Sequence, residues 1–115
     1  MDTSYAQLNL GFRQAVTVLA TIISTNPAKG YAVADAGLKA FGMDHGDTSL
    51  PGHTVFFASD EHLTIITGET GPLAVGDRVR LDPAHVDPTM SQHERAYVVS
   101  GTEVVDTWAI DLRNW

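Results

Sequence analysis

The fold of this chain is decided by the stretch A-V-T-V-L-A-T-I-I-S-T, which runs from Ala15 to Thr25. The stretch is rich in β-branched residues, alternates in part, and ends at Asn26-Pro27, a pair that favours a turn. We therefore expect a strand that is buried on part of both faces. Similar but shorter patterns predict further strands at Thr54–Ala58, Leu63–Thr67, Asp77–Leu81, Ala96–Val99 and Val104–Ile110.

Turn signals connect these strands at short, nearly regular spacing. Polar connections at Ser59–His62 and Ser100–Glu103 predict two hairpins. Only Asp35–Phe41, with the sequence D-A-G-L-K-A-F, has the character of a short helix. No segment resembles a linker, so residues 1–115 are predicted to form a single domain. The fold class that follows is all-β, a small β-barrel or sandwich with one or two short helices.

Composition and charge exclude several classes of protein. The chain is 43% hydrophobic and 18% charged, and no apolar run approaches the roughly 18 residues that span a bilayer, so a membrane is not an expected partner. Fourteen acidic residues against seven basic ones give a formal charge of −7, which would repel the phosphate backbone of a nucleic acid. The absence of cysteine excludes disulfides and thiolate metal sites. A cytoplasmic location fits best, since the amino terminus lacks the features of a secretory signal.

The candidate functional residues lie in V-G-D-R-V-R-L-D-P-A-H-V-D-P-T-M, from Val75 to Met90. In an extended segment, His85 and Asp87 would share one face and reach a single ion. Pro83 and Pro88 bracket the pair and fix the backbone direction on both sides. Imidazole and carboxylate ligands suit zinc, manganese or iron(II). Two ligands at this spacing recur by chance in many chains, so the pattern alone leaves open both a metal site and an ordinary surface pair.

No known catalytic motif accompanies this pair. The chain lacks a G-x-S-x-G nucleophile elbow, a G-x-x-x-x-G-K-[ST] phosphate loop and an H-E-x-x-H zinc helix. The other histidines fit polar strand ends and loops, although His93, six residues after Asp87, is a candidate third ligand. No catalytic residue is therefore predicted within the chain.

Six blocks of sequence occur in an order that is typical of one enzyme family. They are A-T-I-I-S at Ala20–Ser24, D-A-G-L-K-A-F at Asp35–Phe41, S-D-E-H at Ser59–His62, V-G-D-R-V-R at Val75–Arg80, H-V-D-P-T at His85–Thr89 and V-V-D-T-W at Val104–Trp108. On these blocks the chain resembles the C-terminal, D-serine dehydratase-like domain of the D-threonine aldolase and D-serine dehydratase family. The members are fold-type III pyridoxal-phosphate enzymes, related in architecture to alanine racemase, so the resemblance implies a β-domain like the C-terminal domain of that enzyme.

The resemblance implies a metal role for His85 and Asp87, because the matching residues of the family bind a divalent ion beside the cofactor. Family members that dehydrate D-serine resemble H-x-C at this point and D-threonine aldolases resemble H-x-D, so Asp87 favours the aldolase branch. A carboxylate oxygen is also a harder Lewis base than a thiolate, which favours manganese or magnesium beside zinc. The implied reaction is the cleavage of a small D-3-hydroxy amino acid to glycine and an aldehyde.

One departure from the family limits what this chain is expected to do. The pyridoxal-phosphate barrel of the family, with its lysine, precedes this domain, and nothing in the 115 residues replaces it. M-D-T-S-Y at the start resembles the segment that leaves the barrel, so we expect the chain alone to be inactive unless a barrel domain is supplied as its partner. The alternative is a β-module without metal that acts in dimerisation or protein interaction. In either case we predict a homo-oligomer.

Overall fold

A computed structural model of the protein describes residues 2–68, 70–111 and 113. Its elements are α1 (Thr3–Ala6), β1 (Val18–Asn26), a 3-10 turn (Pro27–Lys29), β2 (Tyr31–Ala34), β3 (Thr54–Ala58), β4 (Leu63–Ile66), β5 (Arg78–Leu81), α2 (Val86–Ser91), β6 (Arg95–Ser100) and β7 (Glu103–Ala109). Five strands form an antiparallel sheet in the order β3-β4-β2-β1-β5, and β6 and β7 form a separate hairpin. The predicted all-β fold with one or two short helices is confirmed.

Alternation of side chains along the strands places the core on one face of the five-stranded sheet. Strand β5 exposes Arg78 and Arg80 and buries Val79 and Leu81, as expected for a strand with one solvated face. The buried residues of the neighbouring strands continue this apolar face; they are Ala20, Ile22, Ala32, Ala34, Leu63 and Ile65. The sheet therefore has an inner, packed face and an outer face that carries Arg78 and Arg80.

The connection between β2 and β3 covers the inner face. Phe41 and Leu50 belong to the same buried cluster as the strand residues, with 2% and 8% of their surface exposed. The connection is anchored further along by a β-bridge, in which Ser49 and Asp82 exchange backbone hydrogen bonds of 2.9 and 2.8 Å. This bridge holds residues 41–50 across the end of strand β5. The candidate ligands His85 and Asp87 follow that strand in the sequence.

The short helix predicted at Asp35–Phe41 is wrong. Backbone N–H groups of Leu38 and Lys39 donate to the carbonyls of Ser59 and Asp60 in the β3–β4 turn, at 2.9 and 3.0 Å, instead of forming a helix. Gly37 permits this contact, because a Cβ atom there would lie 2.2 Å from the Ser59 carbonyl oxygen. Hydrogen bonds to a distant turn thus replace the local ones that the composition favours.

The β6–β7 hairpin lies apart from the packed sheet. All seven residues of β7 are exposed, among them Trp108 with 60% of its surface accessible. A hydrogen bond of 3.3 Å from the Arg80 guanidinium to the carbonyl of Gly101 joins the turn of the hairpin to strand β5. Among the described residues, no helix is long and apolar enough to cross a membrane.

Candidate metal centre

His85 lies at the point where the chain leaves strand β5 and enters helix α2. Its backbone is extended, with φ −137° and ψ 120°, and it is the N-cap residue of the helix. The preceding Pro83 is fully buried, which fixes the path of the chain out of the sheet. The assumption that His85 and Asp87 share one extended segment is wrong, because the helix begins at Val86 and Asp87 lies in its first turn.

A buried threonine joins His85 to the connection that crosses the sheet. The Thr89 hydroxyl donates to the His85 carbonyl at 2.6 Å and accepts from the Gly42 N–H at 2.9 Å. Gly42 also forms a β-bridge with His85. A Cβ atom at position 42 would lie 2.2 Å from Cγ of Pro88, so only glycine permits this approach. As a result, Asp44 and His45 lie against the His85 side chain.

The imidazole of His85 is held by the two residues that follow Met43. Its Nδ1 lies 2.9 and 3.1 Å from the two carboxylate oxygens of Asp44. The ring of His45 stacks on the His85 ring, with centroids 4.0 Å apart and an angle of 5° between the planes. The His85 side chain is 22% exposed, so solvent and ions reach it.

The electrostatics of this group favour an ionised Asp44. The hydrogen bond from His85 is the main cause that lowers the pKa of the Asp44 carboxyl, against a smaller opposing effect of desolvation. Asp44 is therefore a carboxylate at neutral pH. It also lies 3.7 Å from Nε2 of His45, beyond hydrogen-bonding distance. Within the described part of the chain, Asp44, His45 and His85 are the group whose potential ligand atoms all lie within 4.8 Å of one another.

Asp87 lies outside that group and borders an open cleft. The carboxylate is exposed, and the cleft, of about 320 Å³, is lined by residues of the N-terminal segment and of α2, namely Asp2, Tyr5, Leu10, Phe12, Val86 and Asp87. Most of these lining residues are apolar. A shared ion between His85 and Asp87 stays a prediction.

Asp2 attaches the N-terminal segment to the start of α2. Its carboxylate accepts from the Tyr5 N–H at 3.0 Å and from the Val86 N–H at 3.4 Å. These hydrogen bonds satisfy a residue that is only 4% exposed. The hydrogen bond from Tyr5 is the main cause that lowers the pKa of Asp2. The Thr3 N–H also donates to the Pro83 carbonyl at 3.3 Å. The wall of the cleft is therefore fixed to the same segment that carries His85.

The two lysines of the chain, Lys29 and Lys39, are both exposed. Lys39 forms an ion pair with Glu61, and this hydrogen bond raises the pKa of the lysine. An imine-forming lysine needs surroundings that lower its pKa. The surroundings of Lys39 have the opposite effect, because its partner Glu61 stabilises the charged form.

Two histidines outside the candidate centre hold loops together. His93, the candidate third ligand, contacts the carbonyl of Ala40 through Nε2 at 2.9 Å. His53 accepts from the Gly68 N–H at 3.1 Å and contacts the Thr70 hydroxyl at 2.8 Å. These contacts account for both side chains as structural residues.

Asp44 is the residue of this centre that sequence reasoning missed. It lies 41 positions before His85, and the D-H-G-D pattern around it is typical of a solvated loop. The same pattern predicts a solvated His45, whereas the side chain is half exposed and its ring stacks on His85. Gly42, one position after a buried aromatic residue, is the signal that indicates a close approach here.

Comparison with known proteins identifies relatives of two lengths. D-threonine aldolase of Arthrobacter sp is 37% identical over 111 residues, which are 92% of this chain and 29% of the relative. An uncharacterised protein of Mycobacterium tuberculosis is 30% identical over 111 residues, which are 86% of this chain and 84% of the relative. The chain thus spans less than a third of the aldolase and most of the mycobacterial protein.

Solved structures with a fold similar to that of this chain include a D-threonine aldolase and a D-threo-3-hydroxyaspartate dehydratase. D-threonine aldolase from Filomicrobium marinum has a TM-score of 0.88 and 30% identity, covering 98% of this chain and 33% of that one. A D-threo-3-hydroxyaspartate dehydratase with one cysteine replaced by alanine, solved in a metal-free form, has a TM-score of 0.67 and 25% identity over 86% of this chain and 32% of its own. In another variant of that dehydratase, alanine replaces a histidine two positions before that cysteine (TM-score 0.68, 25% identity, 86% and 31% coverage).

The family itself follows from a match over most of the chain. Residues 15–99 match the family described as "Putative serine dehydratase domain". The match contains every strand of the five-stranded sheet, helix α2 and the candidate centre. This chain belongs to that family and corresponds to the C-terminal domain of the D-threonine aldolases and D-serine dehydratases.

Proposed function

We propose that residues 1–115 form the metal-binding C-terminal domain of a D-threonine aldolase-like lyase, in which His85 and Asp87 hold one divalent cation. The observation that carries the proposal is the histidine pattern. The dehydratase variants alter a histidine and a cysteine two positions apart, and the variant without the cysteine is solved metal-free. His85 and Asp87 have the same spacing, with a carboxylate in place of the thiol.

The residues present fit a divalent ion. Nδ1 of His85 is occupied by the Asp44 carboxylate, so the lone pair for a metal is on Nε2. This carboxylate–histidine arrangement is common among metal-binding histidines. Asp87 offers an exposed carboxylate that lines the cleft. One nitrogen and one hard oxygen ligand suit manganese, zinc or magnesium, with further positions left to substrate.

The chain's own residues would bind and orient a small substrate beside this ion. The cleft next to Asp87 holds about 320 Å³, enough for a D-3-hydroxy amino acid, and Tyr5, Leu10 and Phe12 give it a largely apolar lining. His85 and Asp87 would hold the cation, and of the two Asp87 lines that space. When bound, the cation supplies Lewis acidity to the substrate hydroxyl, and pyridoxal phosphate from a barrel domain supplies an electron sink.

Cleavage by this domain requires a partner that carries the pyridoxal-phosphate lysine. The relatives that act on D-threonine are about three times as long as the part that matches, and both lysines of this chain are exposed. We therefore expect no cleavage of D-threonine by the isolated chain. Addition of a purified barrel domain from a D-threonine aldolase in trans would restore glycine and aldehyde formation, and continued inactivity would argue against the lyase assignment.

Metal binding is tested by equilibrium dialysis of the purified chain against Mn²⁺ and Zn²⁺. We expect one ion per chain, no binding by His85→Ala and a large loss of affinity in Asp87→Asn. Matched controls are His62→Ala and Asp60→Asn, which remove the same groups from the exposed β3–β4 turn. Absence of uptake of both ions, or equal affinity in the His85 and His62 variants, would contradict the proposal.

A second candidate function is that of an interaction module without metal. It is favoured by exposed apolar side chains, which include Phe56 (72%), Phe57 (58%), Tyr97 (60%) and Trp108 (60%), because large exposed apolar surfaces mark contact sites. On this ground we also expect at least a dimer. Multi-angle light scattering at micromolar concentration measures the mass directly, and a monomer would contradict the prediction.

A further inference from the structure

Asp44 and His45 restrain the imidazole of His85 from two directions. The carboxylate of Asp44 contacts Nδ1 with both oxygens, at 2.9 and 3.1 Å. The His45 ring lies parallel to the His85 ring at a centroid distance of 4.0 Å. Rotation of the His85 ring would therefore break the hydrogen bonds and the stacking contact together.

The partner of Nδ1 decides which nitrogen of His85 carries the proton. An ionised carboxylate accepts hydrogen bonds and donates none, so Nδ1 is the donor and the neutral ring has its lone pair on Nε2. We infer that Asp44 is a positioning residue, which fixes the Nδ1–H tautomer and the orientation of His85 so that Nε2 is the nitrogen that binds a divalent cation. This inference rests on the proposed function for its metal, and on the hydrogen bond alone for the tautomer.

Direct chelation by Asp44, His45 and His85 is the competing arrangement, because their ligand atoms lie within 4.8 Å of one another. The parallel stacking argues against it, since the lone pairs of two stacked rings lie in parallel planes, 4.0 Å apart at the ring centroids, and do not converge on one ion. The oxygens of Asp44 are also both directed at Nδ1 of His85. Asp44 and His45 therefore support the ligand instead of acting as ligands themselves.

Asp44 is brought to His85 by the β2–β3 connection, which is held in place by Gly42 and not by the Asp44 side chain. Gly42 is fixed by its hydrogen bond to Thr89 and its bridge to His85, while the Asp44 side chain is 55% exposed. Substitution of Asp44 should consequently leave the fold intact. Asp47, an exposed acid three residues later in the same connection, offers a matched control for the loss of charge.

The tautomer is tested by long-range ¹H–¹⁵N NMR of the histidine rings in the metal-free full chain, at a pH where His85 is neutral. We expect His85 to be in the Nδ1–H form in the wild type and in Asp47→Asn, and to become a mixture of both tautomers in Asp44→Ala. In Asp44→Asn the amide oxygen still accepts from Nδ1, so a partial return to the wild-type form is expected. An Nε2–H form in the wild type, or no change in Asp44→Ala, would overturn the inference.

The consequence for the ligand is measured by Mn²⁺ titration calorimetry on the same proteins. Loss of an outer partner of a metal-binding histidine weakens binding by about 10–100-fold, so we expect this loss in Asp44→Ala and unchanged affinity in Asp47→Asn. His45→Phe keeps a planar ring over His85 and removes both nitrogen atoms, and we expect it to retain Mn²⁺ affinity. Abolished binding in His45→Phe would overturn the inference in favour of chelation by the three side chains.

The two measurements separate the inference from the function on which it builds. A wild-type chain that takes up no Mn²⁺ or Zn²⁺, but whose His85 tautomer depends on Asp44, contradicts the proposed function and supports the positioning role. A chain that binds Mn²⁺ through His85 with an affinity and a tautomer that are unaffected by Asp44→Ala supports the function and overturns the positioning role.

Discussion

The five-stranded sheet and the β6–β7 hairpin use similar strands in opposite ways. The sheet buries alternate residues against a connection that crosses its inner face, whereas the hairpin exposes every residue of β7. An isolated hairpin is marginally stable in water, and it normally requires a third strand or a packed surface. The candidate centre is therefore built on the packed part of the molecule, while the hairpin leaves large apolar side chains such as Tyr97 and Trp108 exposed.

The largest difference between the two regions is expected for buried and exposed aromatic residues. Phe41 is 2% exposed and packs on the sheet, and Trp108 in the hairpin is 60% exposed. Phe41→Ala should lower the free energy of unfolding by about 3–5 kcal/mol, because it leaves a cavity in the core. Trp108→Ala should change it by less than about 1 kcal/mol. Urea denaturation of the two variants measures both changes, and equal losses of stability would contradict the difference in burial between Phe41 and Trp108.

A smaller difference is expected for two glycines. A Cβ atom at Gly42 would lie 2.2 Å from Cγ of Pro88, so Gly42→Ala should cost about 1–3 kcal/mol through overpacking and separate Asp44 from His85. Gly101, in the hairpin turn, has φ +61° and open space around it. Gly101→Asn should be nearly neutral, since asparagine tolerates this conformation. Thermal unfolding compares the two variants, and a Gly42→Ala variant as stable as Gly101→Asn would contradict the docking of the connection.

The strands were predictable because their signal is local. Alternation around Val79 identifies strand β5 and its inner face from a few neighbouring residues. Helix α2 was not predicted because it has only six residues and contains Pro88. Proline is tolerated in the first turn of a helix, but in a sequence it is more typical of a turn. Strand β2, with four residues, is too short to recognise alone.

The candidate site was predictable only in part, because its contacts are long-range. The short spacing of His85 and Asp87 is visible in the sequence, and it led to the prediction of a metal pair. The hydrogen bond of His85 to Asp44 joins residues 41 positions apart, so no local pattern predicts it. The helix wrongly predicted at Asp35–Phe41 has the same origin, since the backbone there bonds to a turn more than 20 residues away.

The smallest effect is expected for the acid that attaches the N-terminal segment to α2. The hydrogen bond from Tyr5 lowers the pKa of Asp2 below its ordinary 3.8, so its ionised form stabilises the fold above that value and the contribution is lost as the pH falls through the lowered pKa. Asp2→Ala should therefore cost about 1 kcal/mol at pH 7, and the difference from the wild type should diminish below pH 3.8.

The measurement for Asp2 is urea denaturation at a series of pH values, with Asp60→Ala as the control because Asp60 lies on the exposed β3–β4 turn. The control should differ little from the wild type at any pH. A loss in Asp2→Ala that stays constant through acid pH would show that the side chain acts through packing and not through its charge.

Binding of one cation at the junction of β5 and α2 can be observed by adding substoichiometric Mn²⁺ to the ¹⁵N-labelled chain and recording backbone amide spectra. The paramagnetic ion should broaden the amides of His85–Thr89 first, with those around Asp44 next, and leave the β6–β7 hairpin unaffected. The broadening should disappear in His85→Ala. Broadening that is centred on other acidic surface residues, or that persists in His85→Ala, would contradict the claim.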